Sequence, residues 1–174
     1  YSTHPLQDLQ QVPFLCRVAA EAPSLRLNTG VLLLPMHKPL DVAEQLGTLD
    51  IMTNGKLIFG CGVGYREVEF LAFGTTPRDR AKRFEENLDA IKRLWTEESV
   101  SHHSETCHLD NVRMNLRPVQ KPYPPIWIAA NNDRAIERAA RMSDAWMINP
   151  HSKIQTIRRH MTLYRDALSA NGKP

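Results

Sequence analysis

The chain has 174 residues, of which 42% are hydrophobic and 24% charged, a balance typical of one soluble globular domain. Its 22 basic and 19 acidic side chains leave a formal net charge of +3, so charge gives no support to a nucleic-acid binder. Apolar runs such as Val31–Leu34 are far shorter than the roughly 20 residues of a membrane helix, so we expect no membrane-spanning segment.

Hydrophobic periodicity and turn residues predict an alternation of helices and strands. Apolar residues at helical spacing mark the helices, and short runs that are apolar throughout mark buried strands. Pro39 suits the first turn of a helix, and Asn54-Gly55 suits a left-handed cap at its end. In chain order we predict a helix over 6–21, a strand over 25–34, a helix over 40–52, a strand over 56–63, helices over 65–73 and 78–95, a strand over 126–130, a helix over 131–141, a strand over 145–149 and a helix over 152–170.

Residues 96–121 interrupt this alternation, because they are polar and alternate only in places. We expect a short hairpin or an irregular excursion there. Elsewhere, strands that are apolar throughout and separated by helices indicate an α/β fold with a parallel sheet covered by helices. Four such strands could form an open doubly wound sheet or half of an eight-stranded barrel, and the pattern alone does not decide between them.

The three cysteines, Cys16, Cys61 and Cys107, are an odd number at wide spacing and imply no disulfide framework. We therefore expect a reducing, cytoplasmic setting. The chain begins with Tyr1 rather than Met, and it ends in a turn-forming Asn-Gly-Lys-Pro sequence that normally leads to further structure. We expect this chain to be a piece of a longer protein.

Three glycines in the segment 60–64 (GCGVG) lie at the end of a predicted strand and before a helix. The dinucleotide fingerprint needs a glycine at relative position six, where this chain has Tyr65, and no Gly-Lys-Ser/Thr follows to make a phosphate-binding P-loop. The glycines could let a ligand approach the backbone, or they could simply permit a tight turn.

Asn131, Asn132 and Asp133 directly follow the predicted strand 126–130 and begin a helix. Free amides at a helix N-terminus, together with the helix dipole, favour an anion such as a phosphate. Ordinary N-capping explains the same residue types. Both interpretations remain open at this stage.

Four neighbouring side chains, His102, His103, Cys107 and His108, suggest a metal site. Their spacing fits neither a zinc finger nor an i, i+4 helical pair, so we expect a solvated surface and no metal. Cys61 is a candidate nucleophile by position, but no basic residue follows closely enough to activate it, and buried packing is the simpler prediction.

His37 and His151 each follow a predicted strand, at the edge of a parallel sheet where ligands bind. A place in a pocket and a place in a surface loop are equally compatible with that position. Trp127 and Trp146 lie in separate strands and are expected in the core or in a pocket wall.

Three stretches of the chain together resemble the bacterial luciferase-like monooxygenase family, which comprises flavin- and deazaflavin-dependent oxidoreductases. They are Leu25–Gly74, which contains LRLNTGVLLLP and LIFGCGVGY, Arg117–Asn132 (RPVQKPYPPIWIAANN) and Ala140–Asn149 (ARMSDAWMIN). The resemblance implies a TIM-type (β/α)₈ barrel, of which this chain would supply about strands three to six with their helices. Residues 1–174 would then be the central part of a single barrel domain, with an irregular insertion at about 96–121.

The resemblance also implies cofactor-binding residues near the flavin ring and its side chain. Gly30 and Val31 match a non-prolyl cis peptide that forms a bulge behind the ring. Gly62, Val63 and Gly64 match a turn near the ribityl-phosphate arm, where some relatives carry a basic residue in place of Val63. Catalytic residues are not identified, and we expect them outside this chain.

Further implied contacts follow the last two strands. Asn131 and Asn132 match a turn whose amides and side chains hold the phosphate. Ile148 and Asn149 match the end of the sixth barrel strand, beside the ring. Asn28 stands where the family more often has Gly, and the sequence offers no reason for this difference.

The resemblance implies an enzyme that uses reduced FMN and O₂ on a small organic substrate. A flavin reductase is the partner that would deliver the reduced cofactor, and the full-length protein is expected to be a homodimer without nucleic-acid or membrane partners. One alternative is a hydride-transferring dehydrogenase or reductase that uses a deazaflavin (coenzyme F-420). Another is an inactive truncated remnant, and we expect this piece alone to be inactive.

Overall fold

The computed structural model describes residues 9–174, and its helices and strands alternate as the periodicity predicts. In chain order the elements are α1 (Gln11–Glu21), β1 (Leu27–Asn28), β2 (Leu32–Leu33), a 3₁₀ turn (Leu34–Met36), α2 (Pro39–Met52), β3 (Leu57–Gly62), α3 (Glu67–Ala72), α4 (Arg80–Thr96), β4 (Val100–His103), β5 (His108–Val112), β6 (Ile126–Ala130), α5 (Asp133–Met142), β7 (Ala145–Ile148) and α6 (Ile154–Ala170).

Local signals place most boundaries correctly. Pro39 is the first residue of α2, and Asn54 and Gly55 end this helix with φ angles of 52° and 75°. The helix predicted over 65–73 is shorter, because α3 occupies six residues. The first predicted helix begins at Gln11, and its residues 6–8 lie outside the described part of the chain. Within residues 9–174, no helix combines the length and apolarity needed to cross a membrane.

The strand predicted over 25–34 is interrupted, which corrects the sequence prediction. β1 and β2 both pair with β3 in parallel, with Asn28 opposite Ile58 and Leu32 opposite Cys61. Asn28 and Leu32 are four residues apart, whereas their partners on β3, Ile58 and Cys61, are three residues apart. The chain therefore has one extra, bulged residue between β1 and β2. The strand also ends before Pro35, which lies inside the 3₁₀ turn.

The order of the strands across the sheet selects a half-barrel over the doubly wound alternative. β1 and β2 lie at one edge, followed by β3, β6 and β7, all parallel and in chain order. A doubly wound sheet would contain a point where this order reverses and would carry helices on both faces. Here the sheet curls and the described helices cover its convex face, as expected for four consecutive strands of a (β/α)₈ barrel.

The hydrophobic core lies between that convex face and the helices. Phe59 and Cys61 of β3 and Ile128 of β6 point into it and are almost fully buried. α4 supplies Trp95, whose Nε1 donates a hydrogen bond to the carbonyl oxygen of Ala43 in α2 at 3.0 Å. The core therefore joins the third and fourth units of the barrel through one continuous contact.

The excursion at 96–121 contains the expected hairpin. β4 and β5 pair antiparallel beside the main sheet. The segment that leads from the hairpin back to the barrel is fixed by Asp50, a fully buried carboxylate at the end of α2. Asp50 accepts hydrogen bonds from the backbone N (3.0 Å) and Nε2 (2.7 Å) of Gln120. The same Nε2 also donates to the carbonyl oxygen of Leu57, so this junction is tied to β3.

Candidate functional site

The residues predicted to bind a cofactor meet at one edge of the sheet. Parallel strands place their carboxyl ends on the same side, where the loops of a (β/α)₈ barrel form the active site. Val31 directly precedes the two-residue strand β2, which pairs with Cys61 and Gly62 at the carboxyl end of β3. Gly64 follows β3, Asn131 follows β6 and Asn149 follows β7. Segments that are up to 118 residues apart in sequence (31 to 149) are thus brought to one edge by strand pairing.

The concave face of the sheet has little side-chain volume near this edge. A Cβ atom added at Gly62 would lie 3.2 Å from Cγ2 of Val31 and 3.7 Å from Cβ of Ala129, and one at Gly30 would lie 3.5 Å from Cε of Met147. These residues therefore share the face that no described helix covers. Barrel interiors are normally filled by bulky branched side chains, so small residues here leave room for a ligand.

The bulge between β1 and β2 is held from both sides. The Gly30–Val31 peptide bond is cis, as the resemblance implied. Thr29 is fully buried and its Oγ1 donates to the carbonyl oxygen of Gly60 at 2.8 Å, while Nε2 of Gln11 donates to the carbonyl oxygen of Val31 at 2.8 Å. The backbone predicted to lie behind a flavin ring is thereby tied to β3 through the hydroxyl of Thr29 and to α1 through the side-chain amide of Gln11.

The turn after β3 presents backbone rather than side chains. Gly64 has a φ of +78°, and a Cβ there would lie 3.2 Å from Cζ of Phe70 and 3.3 Å from Cε of Met36. Val63 packs against the hydrophobic core, so its side chain serves packing. Any contact of this turn with a ribityl-phosphate arm would therefore come from main-chain groups.

At the N-terminus of α5 the capping interpretation is confirmed. Oδ1 of Asn132 accepts a hydrogen bond from the backbone N of Ala135 at 3.1 Å. Asp133 in the first turn accepts hydrogen bonds from Nη1 and Nη2 of Arg159, at 3.0 and 2.6 Å, and this hydrogen bonding lowers the pKa of Asp133. Because Arg159 offsets the carboxylate charge, the first-turn amides remain compatible with an anion. Asn131 is exposed beside them.

The end of β7 is more open than the rest of the sheet. Ile148 is 39% exposed, and Oδ1 of Asn149 accepts a hydrogen bond from the backbone N of His151 at 3.0 Å. This bond fixes the loop that carries His151, which lies exposed rather than in a pocket. Trp146 packs on the convex side against His160 and Tyr164, whereas Trp127 belongs to the concave face opposite Gly60.

Asn28 lies at the base of the candidate site, a placement that the sequence did not reveal. Its Oδ1 is buried on the concave face and has no hydrogen-bond partner among residues 9–174. An unsatisfied buried oxygen of this kind costs about 1–3 kcal/mol. A polar residue within the apolar run around Leu27 was the signal in the sequence. This oxygen lies against Gly60 and is closed off from the surface by the described residues.

A cleft of about 830 Å³ adjoins the bulge on the outer edge of β2, between α1, α2 and α3. Val31, Met36, His37 and Phe73 are among the residues that line it, so the pocket position of His37 is confirmed. The imidazole of His37 packs edge-on against Phe73 with ring centroids 5.5 Å apart. Burial lowers the pKa of His37, and nearby Asp41 raises it by a smaller amount.

This burial predicts a pH dependence of stability. Because the pKa of His37 is lowered in the folded state, the unfolded state binds its proton first as the pH falls. The free energy of unfolding should therefore decrease below the ordinary histidine pKa of about 6.5. We expect His37→Gln to lose less stability than the parent chain between pH 7.5 and pH 5.5 in urea titrations. Equal losses would contradict this assignment.

Two candidate groups are placed away from the sheet edge. The thiol of Cys61 is fully buried in the core, and this burial raises its pKa, so it stays protonated and unreactive. His103 and His108 face each other across the hairpin with their Nδ1 atoms 2.9 Å apart, and both are exposed. Residues 9–174 contain no group of three or more His, Cys, Asp or Glu side chains that could hold a metal ion.

A singly wound parallel sheet with an open ligand face at its carboxyl edge is the arrangement of a (β/α)₈-barrel enzyme. The profile of the luciferase-like monooxygenase family matches residues 3–174. The chain therefore belongs to the luciferase-like monooxygenase family. The chain spans about half the length of the curated relatives it matches, for example 51% of protein y4vJ of Sinorhizobium fredii, to which it is 26% identical over 178 residues.

Solved structures agree with this placement. The chain is 33% identical to the monooxygenase RslO1 from Streptomyces bottropensis, with a TM-score of 0.87 over 95% of this chain and 51% of that one. An F420-dependent secondary alcohol dehydrogenase, solved with an F420-acetone adduct, has a TM-score of 0.87 at 18% identity, over 97% of this chain and 52% of that one. The match to the F420-dependent dehydrogenase shows the fold alone. In both structures the chain covers about half of the matched protein, as expected for a half-barrel.

Proposed function

We propose that this chain is the cofactor-binding part of a monooxygenase that uses reduced FMN and O₂ on a small organic substrate. The observation that carries the proposal is the concave face, where Gly30, Gly62 and Ala129 leave room for a flat ring beside the bulge. The 33% identity to the monooxygenase RslO1 supports oxygenation as the reaction. Bound flavin would supply the two-electron redox chemistry and the reaction with O₂.

The residues of this chain would bind and orient that cofactor. Gly30 and Val31 would support the ring through their backbone, with Ile148 and Asn149 beside it. The turn Gly62–Gly64 would contact the ribityl arm through main-chain groups. Each of these segments is fixed in place by packing or by hydrogen bonds described above, so the surface is formed before a ligand binds.

The phosphate would bind at the N-terminus of α5, next to Asn131 and Asn132. Two first-turn amides, those of Asp133 and Arg134, are directed towards the loop, as in other helix N-termini that bind phosphate. Arg159 offsets the charge of Asp133 there. Arg159 would place a positive charge near the phosphate in a chain that has Val63 where some relatives carry a basic residue.

Water exclusion is the second task of this face. Trp127 and Met147 border the glycine-lined area and are half-buried in the described chain. Apolar walls of this kind keep water away from a reactive reduced cofactor. A flavin reductase would supply the reduced FMN, and the full-length enzyme would act as a homodimer.

The alternative is a deazaflavin-dependent dehydrogenase or reductase that transfers hydride. Its support is structural, because the F420-dependent secondary alcohol dehydrogenase matches the fold with the same TM-score, 0.87, as RslO1. An inactive remnant is a further alternative. Its two open parallel sheet edges would make it prone to association.

The test is cofactor binding, measured by fluorescence quenching with reduced FMN and with coenzyme F420. Both the 174-residue chain and the full-length gene product should be titrated, with light scattering as a check on their state of association. Binding of FMN followed by substrate-dependent O₂ uptake would support the proposal. Binding of F420 alone would move the function to hydride transfer. Binding of neither by the full-length protein would contradict both.

Gly30→Val is expected to weaken FMN binding by about tenfold or more, because a branched side chain at this position would project into the ring-binding space. Nearby atoms do not exclude a side chain there, since Cε of Met147 lies 3.5 Å from the Cβ position. His102→Ala in the hairpin is the matched control and should bind FMN normally. Equal losses in both variants would contradict the placement of the ring.

A further inference from the structure

We propose that His103 and His108, which face each other across the β4–β5 hairpin, form a two-histidine binding site for a divalent transition-metal ion of the Cu²⁺ or Ni²⁺ type. The spacing of these residues in the sequence predicted no metal site. Strand pairing changes that prediction, because it brings two imidazole rings together on one face of the hairpin. The inference concerns the hairpin alone and does not rest on the proposed function.

The turn of the hairpin sets the register that places the two rings side by side. The backbone N of Ser104 donates a hydrogen bond to the carbonyl oxygen of Cys107 at 2.8 Å, and His103 and His108 are the next cross-strand partners. Directly opposite residues of an antiparallel pair have Cβ atoms about 4.5–5.5 Å apart on the same face. The two imidazoles are therefore neighbours because of the backbone pairing.

The rings converge at their Nδ1 edges. Their centroids are 4.2 Å apart, whereas the two Nδ1 atoms are 2.9 Å apart. Two nitrogens at that separation, each about 2.0–2.1 Å from one ion, make an angle of about 90° at the metal. Neighbouring ligands have this angle in the square-planar and tetragonal sites of Cu²⁺ and Ni²⁺. Tetrahedral Zn²⁺ requires nitrogens about 3.3–3.4 Å apart, so this pair suits Cu²⁺ or Ni²⁺ better.

In the metal-free chain a hydrogen bond between the two Nδ1 atoms accounts for their distance, with one ring carrying its proton on Nδ1 and the other on Nε2. When an ion binds, both rings carry the proton on Nε2, and each Nδ1 donates its lone pair to the metal. The described residues offer the pair no third His, Cys, Asp or Glu ligand, so water fills the other positions. Both side chains are exposed, so an ion can reach them.

The hairpin holds this pair in place because its other face is buried. Val100, Cys107 and Leu109 belong to the hydrophobic core and are at most 8% exposed. At the turn, Nζ of Lys38 donates to the carbonyl oxygen of Thr106 at 2.9 Å and ties the hairpin to the residue before α2. An ion would thus find both ligands on a fixed backbone, and less ordering of the chain would oppose its binding.

The test is Ni²⁺ binding by the full-length protein, measured by isothermal titration calorimetry after a chelator has removed bound metal. His103→Ala and His108→Ala should each raise the dissociation constant at least about tenfold, because one imidazole remains. His102→Ala is the matched control. Its cross-strand partner is the buried Leu109, so its side chain lies on the opposite face, and this variant should bind Ni²⁺ as the parent does.

Cu²⁺ identifies the ligands directly. Pulsed electron paramagnetic resonance counts the imidazoles on a bound Cu²⁺ ion, and we expect two in the parent protein and one in each of the two hairpin variants. Bound Ni²⁺ should also raise the melting temperature of the parent, because the site exists only in the folded state. The same Ni²⁺ concentration should raise the melting temperature of His103→Ala and His108→Ala less.

Three results would overturn the inference. The parent could bind no Ni²⁺ even in large excess, or both hairpin variants could bind it as tightly as the parent does. Both variants could also melt at a lower temperature without metal while their Ni²⁺ affinity is unchanged, which would show that the two rings serve only to hold the hairpin together. FMN takes no part in these measurements, so their outcome is independent of the proposed function.

Discussion

Gly60→Ala should destabilise the protein by roughly 3 kcal/mol or more, because the new methyl group has no space. Its Cβ would lie 2.2 Å from Oδ1 of Asn28 and 2.5 Å from the carbonyl oxygen of Thr29. The second contact is with backbone at the bulge, so it cannot be relieved by a change of rotamer. Urea unfolding followed by tryptophan fluorescence measures the loss, and FMN affinity should fall as the bulge moves.

Gly47→Ala is the matched control for this prediction. Gly47 lies in α2, and its added Cβ would be 3.6 Å or more from the nearest atoms, which is an ordinary contact. Alanine favours a helix over glycine by up to about 1 kcal/mol, so this variant should be neutral or more stable. Combining Asn28→Gly with Gly60→Ala should restore part of the lost stability but not all, since the contact with Thr29 remains. Full recovery of the unfolding free energy would show that the added methyl group clashes with Asn28 alone.

Trp95→Ala should cost about 3–5 kcal/mol of unfolding free energy, a large share of the 5–15 kcal/mol that stabilises a typical protein. The indole is 1% exposed and packs edge-to-face on Phe59 with ring centroids 6.0 Å apart. Its Nε1 also donates to the carbonyl oxygen of Ala43. Removing the ring would leave a cavity between α2, α4 and β3.

Trp95→Phe separates packing from hydrogen bonding at the same position. Phenylalanine keeps most of the ring contact and removes the donor to Ala43, so a smaller loss of about 1–2 kcal/mol is expected. The two variants are compared by urea unfolding, where Trp127 and Trp146 still report the transition. Similar losses in both would show that the hydrogen bond, rather than packing, dominates this part of the core.

Much of the candidate site was predictable because its signals are local or tied to family motifs. The glycines at 60–64 lie at the end of one strand and directly after it, the asparagines at 131 and 132 follow another, and parallel strands end on one side of a sheet. The residues that fix the site were not predictable in this way. Gln11 holds the bulge and Arg159 pairs with Asp133, and both contacts join segments that are distant in the sequence.

The sequence by itself determined the alternation of helices and strands and several of their ends. Periodicity, Pro39 at a helix start and Asn54-Gly55 at a helix end act through the backbone of a few neighbouring residues, so they can be interpreted without the fold. Only the tertiary structure decided that the sheet is a half-barrel, since strand order depends on which helices pack on which face. It also divided the strand predicted over 25–34 and brought the amide of Asn28 beside Gly60. A run of apolar residues indicates that a segment is buried. It does not indicate where the neighbouring strands of the sheet leave space.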